Sequence, residues 1–124
     1  SYLERTAAAT SPHARVEITR LFIQAQQGDS AALRSLADYA SNSFEFWTRG
    51  NAMRAFKRLG LLTPPATKAI LHAMWSTNER LASVAKETLE SLVVQDRWRT
   101  MVRKVLSEIG PKPGQRESVE ALLQ

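Results

Sequence analysis

The 124-residue sequence contains no cysteine. That excludes a disulfide framework, a thiolate metal site and a cysteine nucleophile, while leaving the compartment open. Glycine and proline are scarce, five of each, too few for the many tight turns of a β sandwich or barrel. No apolar run approaches the roughly 20 residues a membrane-spanning helix needs, and no charged-then-apolar opening marks a signal peptide. The chain therefore reads as soluble, with no membrane partner. The two histidines, His13 and His72, lie far apart in the sequence on different helical patterns and offer no paired metal-ligand spacing. No nucleophile elbow, glycine-rich phosphate loop or metal-binding histidine pair occurs either. Neither catalysis nor a metal or other cofactor is expected.

What the chain has is helical periodicity, written more than once. Apolar residues make up 44% of it, with leucine and alanine, both good helix formers, dominant. Ala52, Phe56 and Leu59 fall at i, i+4 and i+7. Ala85, Leu89 and Leu92 repeat that spacing downstream, and Ile18, Phe22 and Ala25 anticipate it upstream at a nearly equal offset. Each copy is accompanied by a second helical pattern, so the unit is a pair of antiparallel helices that buries its apolar stripes against the next pair. One domain of this length buries roughly two thirds of the surface its unfolded chain exposes, enough for a core.

Local punctuation places the elements. Ser11 before Pro12 is an N-cap with proline at the first helical position, and the stripe Ala14, Ile18, Leu21, Phe22, Ala25 runs on to a stop at Gly28. Asp29 or Ser30 caps a second helix carrying Leu33, Leu36, Ala37 and Ala40 as far as Ser41. After a linker at 41–43, a third helix runs from about Glu45 to Leu59 and ends at Gly60. Gly50 inside it costs roughly 1 kcal/mol relative to alanine, which implies either a close helix crossing or a helix that begins properly only beyond it. Thr63 with Pro64 and Pro65 opens a fourth helix, with Ile70, Ala73 and Met74 inward. Thr77 or Asn78 caps a fifth, with Leu81, Ala85, Thr88, Leu89 and Leu92 on one face, and a sixth begins near Asp96 with Trp98, Val102, Val105 and Ile109 inward. Gly110, Pro111, Pro113 and Gly114 break the chain, leaving a short capping helix over Val119–Leu123. The organisation is thus a lead-in over 1–11, the remnant of a preceding repeat; a helical-repeat domain over 12–109; and a break with a cap over 110–124. Phe22, Phe56, Leu59, Leu89, Leu92, Trp98 and Val102 are the expected core, with Trp75 inward as well.

The charge is segregated. The net value is +5, yet Phe46 to Lys68 holds five bases (Arg49, Arg54, Lys57, Arg58, Lys68) and no acid, and Arg97 to Lys104 holds four more (Arg97, Arg99, Arg103, Lys104). Elsewhere acids outnumber bases, twelve to eight. Such segregation can mark an anionic partner. The plainer reading is that helix surfaces carry solvating charge and arginine favours helix.

Arg49, Ala52, Phe56 and Leu59, and again Arg80, Ala85, Leu89 and Leu92, with Pro64 and Pro65 opening a helix between them, resemble the second-helix motif of the HEAT-repeat family. The resemblance covers residues 12 to 109. It implies an all-α, right-handed α-α superhelix of HEAT or ARM type with about three helix pairs, its first, third and fifth helices lining the concave side. It also implies a scaffold or a module of a larger protein, although some members, such as the HEAT-like alkylpurine DNA glycosylases, bind DNA. Fold alone does not set function.

With those helices lining the concave side, about 100° per residue turns Trp47, Asn51, Arg54 and Arg58 away from the apolar face of the third helix. His13, Glu17, Arg20 and Gln24 form the matching stripe on the first helix, and Arg80, Val84, Glu87 and Ser91 on the fifth. Trp47, Asn51, Arg54, Arg58, Arg20 and Arg80 are the candidate binding residues, because tryptophan and arginine carry disproportionate energy at interfaces. The competing reading folds Trp47 back into the core. The function expected is a non-catalytic interaction module, standing alone or as the C-terminal helical-repeat part of a larger protein, that holds a protein, a peptide or an adjacent domain. The alternative is a nucleic-acid-binding module in which Arg49, Lys57, Arg97, Arg99, Arg103 and Lys104 join Arg54 and Arg58 on phosphates.

Overall fold

Side-chain caps and two left-handed glycines set where the helices begin and end. Thr63 Oγ1 accepts a hydrogen bond from the Ala66 backbone N–H at 3.2 Å, and Pro64 and Pro65 occupy the first helical positions behind it, where no intrahelical N–H bond is lost. Asp29 Oδ1 accepts from the Ala31 N–H at 2.9 Å, and Asn78 Oδ1 from that of Leu81 at 3.0 Å. Gly60 and Gly110 stop helices at φ of 71° and 65°, a region closed to most side chains.

The computed structural model describes residues 12–41 and 46–124. These form α1 (Pro12–Gln26), α2 (Ser30–Ala40), α3 (Phe46–Leu59), α4 (Pro64–Met74), α5 (Glu79–Leu92), α6 (Asp96–Ile109) and α7 (Pro113–Leu123). No strand occurs among the described residues, and the protein is all-α. The lead-in over 1–11 with its cap at Ser11, the His13 side chain, and the 42–45 stretch with the expected helix start at Glu45 lie outside them.

The helices pack in two rows. α3 packs against both α1 and α5, and α4 against both α2 and α6, while α1 meets α2, α2 meets α3 and α4 meets α5 across the rows. Two apolar clusters fill the space between. One gathers Ile18, Leu21, Phe22 and Ala25 of α1, Leu36 of α2, and Ala55 and Phe56 of α3. The other runs from Ala52 and Met53 through α4 and α5 to α6 and α7. Helix α3 thus supplies residues to both.

The expected core is buried at Phe22, Phe56, Leu89, Leu92, Trp98 and Val102. Leu59 departs from it: it is half-buried, because it occupies the last position of α3 and packs on the rim of the α1–α3 cluster. Trp75 departs too. It is half-buried rather than fully inward, and its indole Nε1 donates to the Gln115 carbonyl and to Ser118 Oγ, both at 3.2 Å. That indole ties the end of α4 to α7. The C-terminal helix itself is longer than Val119–Leu123. It starts at Pro113, since proline at the first helical position initiates a helix as readily as it breaks one, and Gln115 Oε1 accepts from the Lys112 N–H at 3.0 Å.

At Gly50 neither expectation holds. The helix runs through it, and a methyl group there would meet its nearest neighbour, Val84 Cγ1, at 3.9 Å, an ordinary van der Waals distance. No close crossing demands glycine. Gly50→Ala is therefore expected to stabilise the fold by about 0.4 to 1 kcal/mol through a less free unfolded chain, raising the melting temperature by a few degrees; a lowered one would mean that α3 and α5 lie closer than this.

Candidate functional site

The row contact between α1 and α3 leaves a groove on one side of the apolar seam. From α1 it is lined by Arg15, Ile18, Thr19 and Phe22, and from α3 by Asn51, Arg54, Ala55 and Arg58, around a space of about 310 Å³. Both sets fall at i, i+3, i+4, i+7, one face of a helix each, so the two faces look across at one another. Ile18, Phe22 and Ala55 belong to the buried cluster and form the floor and walls. The three arginines are exposed, and Asn51 is half-buried.

The Arg58 guanidinium carbon lies 4.3 Å from the centre of the Phe22 ring. A stacked guanidinium keeps its N–H edge for acceptors while losing rotamer freedom, so it is partly organised for an anion in advance. Among the described residues that line the groove there is no carboxylate and no histidine. The described lining thus offers donors for an oxyanion. No three histidine, aspartate or glutamate side chains converge on a metal-sized site among the described residues.

Trp47 lies farther along α3 and is 41% exposed, so it does not fold back into the core. The Arg80 guanidinium sits 5.1 Å from its ring centre. Phe46, Gly50, Arg54, Leu81 and Val84 complete a hollow with these two, but its free space is only about 10 Å³, room for one water at most. The junction between α3 and α5 is closed where the junction between α1 and α3 is open. The structure therefore brings Asn51, Arg54 and Arg58 together in the groove, with Arg54 reaching the Trp47 hollow as well, and leaves Trp47 and Arg80 stacked beside it.

Arg20 stays outside. It is held by Glu17 through two hydrogen bonds, Nη2 to Oε1 at 2.6 Å and Nε to Oε2 at 3.1 Å. Bonding to that carboxylate raises the guanidinium above its usual pKa. Val84, expected on the polar side of α5, is 8% exposed and packs toward Gly50. A helix flanked in its own row buries two sides, so the face opposite the core stripe is not all solvent. Arg15 and Thr19 are lining residues that the sequence reading missed. The signal for Arg15 was its i+7 relation to Phe22, and for Thr19 its i+4 relation to Arg15, which place both beside the apolar stripe rather than opposite it.

The remaining basic residues are largely engaged with the protein's own groups. Arg49 is half-buried and donates from Nε to the Ala40 carbonyl at 3.1 Å, at the C-terminal end of α2, where a cation suits the helix dipole. Burial pushes its pKa down. Lys57 Nζ is 3.0 Å from Glu87 Oε1. Arg97 lies over the Trp98 ring at 4.4 Å and donates to Gln95, while Arg99 pairs with Asp96 and donates to the Val93 carbonyl. Arg103 reaches the Leu123 carbonyl at 3.4 Å, and Lys104 is exposed.

Comparison with protein-family models, with curated proteins and with solved structures gives no match.

Proposed function

We propose that the protein is a non-catalytic interaction module that holds a partner protein on the face formed by α1, α3 and α5, with the α1–α3 groove at its centre. The observation that carries this reading is the set of three exposed arginines, Arg15, Arg54 and Arg58, presented by two helices around one open space with apolar walls. Arginine beside an apolar anchor is the composition of interface hot spots. The two-row packing supports a stack of helix pairs of HEAT type, a right-handed α-α superhelix in which α1, α3 and α5 line the concave side. On this reading the three arginines of α6, turned to intramolecular partners, serve the fold.

The absence of cysteine makes a direct test available. Thr19→Cys places a single thiol in the groove, and Lys68→Cys places one on α4 in the other row, exposed. Each is loaded with a thiol-reactive photo-cross-linker and illuminated in extract of the source cells. A protein joined from position 19 and not from position 68 is the expected result. Cross-linking from position 68 alone would overturn the assignment of the face.

A further inference from the structure

We propose that the α1–α3 groove takes the carboxylate side chains of an acidic segment of the partner protein. This rests on the interaction-module reading and specifies its chemistry. Arg15 faces Arg54 and Arg58 around about 310 Å³, at the small end of spaces that hold a small ligand, so it seats a few side chains and not a duplex. A planar guanidinium matches a carboxylate with two parallel N–H···O bonds. Ile18, Phe22 and Ala55 give the methylene stems of aspartate or glutamate an apolar wall. With Arg58 fixed against Phe22, less side-chain freedom is lost on binding.

The same observations disfavour a polynucleotide. A phosphodiester chain binds along a basic track that follows several nucleotides. Here three exposed arginines surround one pocket, and acids interrupt the basic surface of the same row of helices: Glu17 on α1, bonded to Arg20, and Glu87 on α5, bonded to Lys57. Arg49, Arg97, Arg99 and Arg103 are engaged with carbonyls, Gln95, Asp96 or the Trp98 ring. Discrete carboxylates fit this pattern where a continuous run of phosphates meets repulsion.

The test is fluorescence anisotropy with a labelled peptide of about ten residues, rich in Asp and Glu, and with its Asn/Gln counterpart, a single-stranded oligonucleotide of similar charge and a short DNA duplex as competitors. The acidic peptide should bind the wild type and the amide peptide should not. Arg15→Glu and the milder Arg15→Gln should each weaken the acidic peptide, the former by roughly tenfold or more. Lys68→Glu, which changes net charge as much as Arg15→Glu but on α4, should leave binding within about twofold. Thermal melting of each variant confirms that it is folded. Equal binding by folded Arg15 variants and wild type would overturn the proposal, as would an oligonucleotide that displaces the peptide at physiological salt. If position 19 cross-links a partner and the acidic peptide does not bind, the carboxylate assignment alone fails; if position 19 cross-links nothing, the module reading fails with it.

Discussion

Phe56→Ala is expected to destabilise the fold by about 3 to 5 kcal/mol, the usual cost of a phenylalanine-sized cavity in a core that relaxes only in part. Phe56 has no solvent exposure and belongs to the cluster that α1, α2 and α3 share. Its neighbours Ala52 and Met53 belong to the other cluster, which extends to α7. The cavity therefore opens at the helix that joins both halves of the core, where neither row can close it without pulling away from the other. Set against a total stability of about 5 to 15 kcal/mol for a typical domain, the loss leaves the variant marginal or unfolded at about 37 °C. Chemical denaturation followed by circular dichroism checks it. A midpoint equal to that of the wild type would mean that α3 is rotated from the orientation described.

The double change Arg54→Glu with Arg58→Glu is expected to abolish partner binding while sparing the fold. Two positive side chains become negative, so the groove then offers an acidic partner two like charges beside Arg15, and such juxtaposition costs several kcal/mol, roughly a hundredfold or more in affinity. The stability side is smaller. Both residues are exposed, and surface substitutions stay within about 0.5 kcal/mol each; loss of the Arg58 contact with the Phe22 ring adds about 0.5 to 1 kcal/mol. The melting temperature should fall by a few degrees only. A collapse of the melting transition would show that the arginines hold α1 to α3 rather than wait for a ligand.

Helix positions are legible in the sequence because their signals are local. Caps at Asp29, Thr63 and Asn78, prolines behind Thr63, and glycines at the ends of α3 and α6 act within one turn of where they stand. The inward stripes of α5 and α6 are legible for the same reason, since Leu81, Leu89 and Leu92, or Trp98 and Val102, share a face at helical spacing. The groove is legible only from one side. Helical geometry singles out Asn51, Arg54 and Arg58 on α3, but it puts the matching wall of α1 on the side opposite that helix's core stripe. In two rows a helix touches neighbours on several sides, so the open groove runs beside the stripe, through Arg15 and Thr19 up to Phe22. The burial of Val84 and the stacking of Arg80 on Trp47 follow from that same lateral contact, between α3 and α5. No angular count on a single helix contains it.

Binding of a partner at the α1–α3 groove is decided by recovery of the natural partner on immobilised wild type and on the Arg54→Glu, Arg58→Glu variant. The wild type should recover the partner and the folded variant should recover none. Equal recovery by both, with both melting normally, would contradict it and move the binding surface to another face of the molecule.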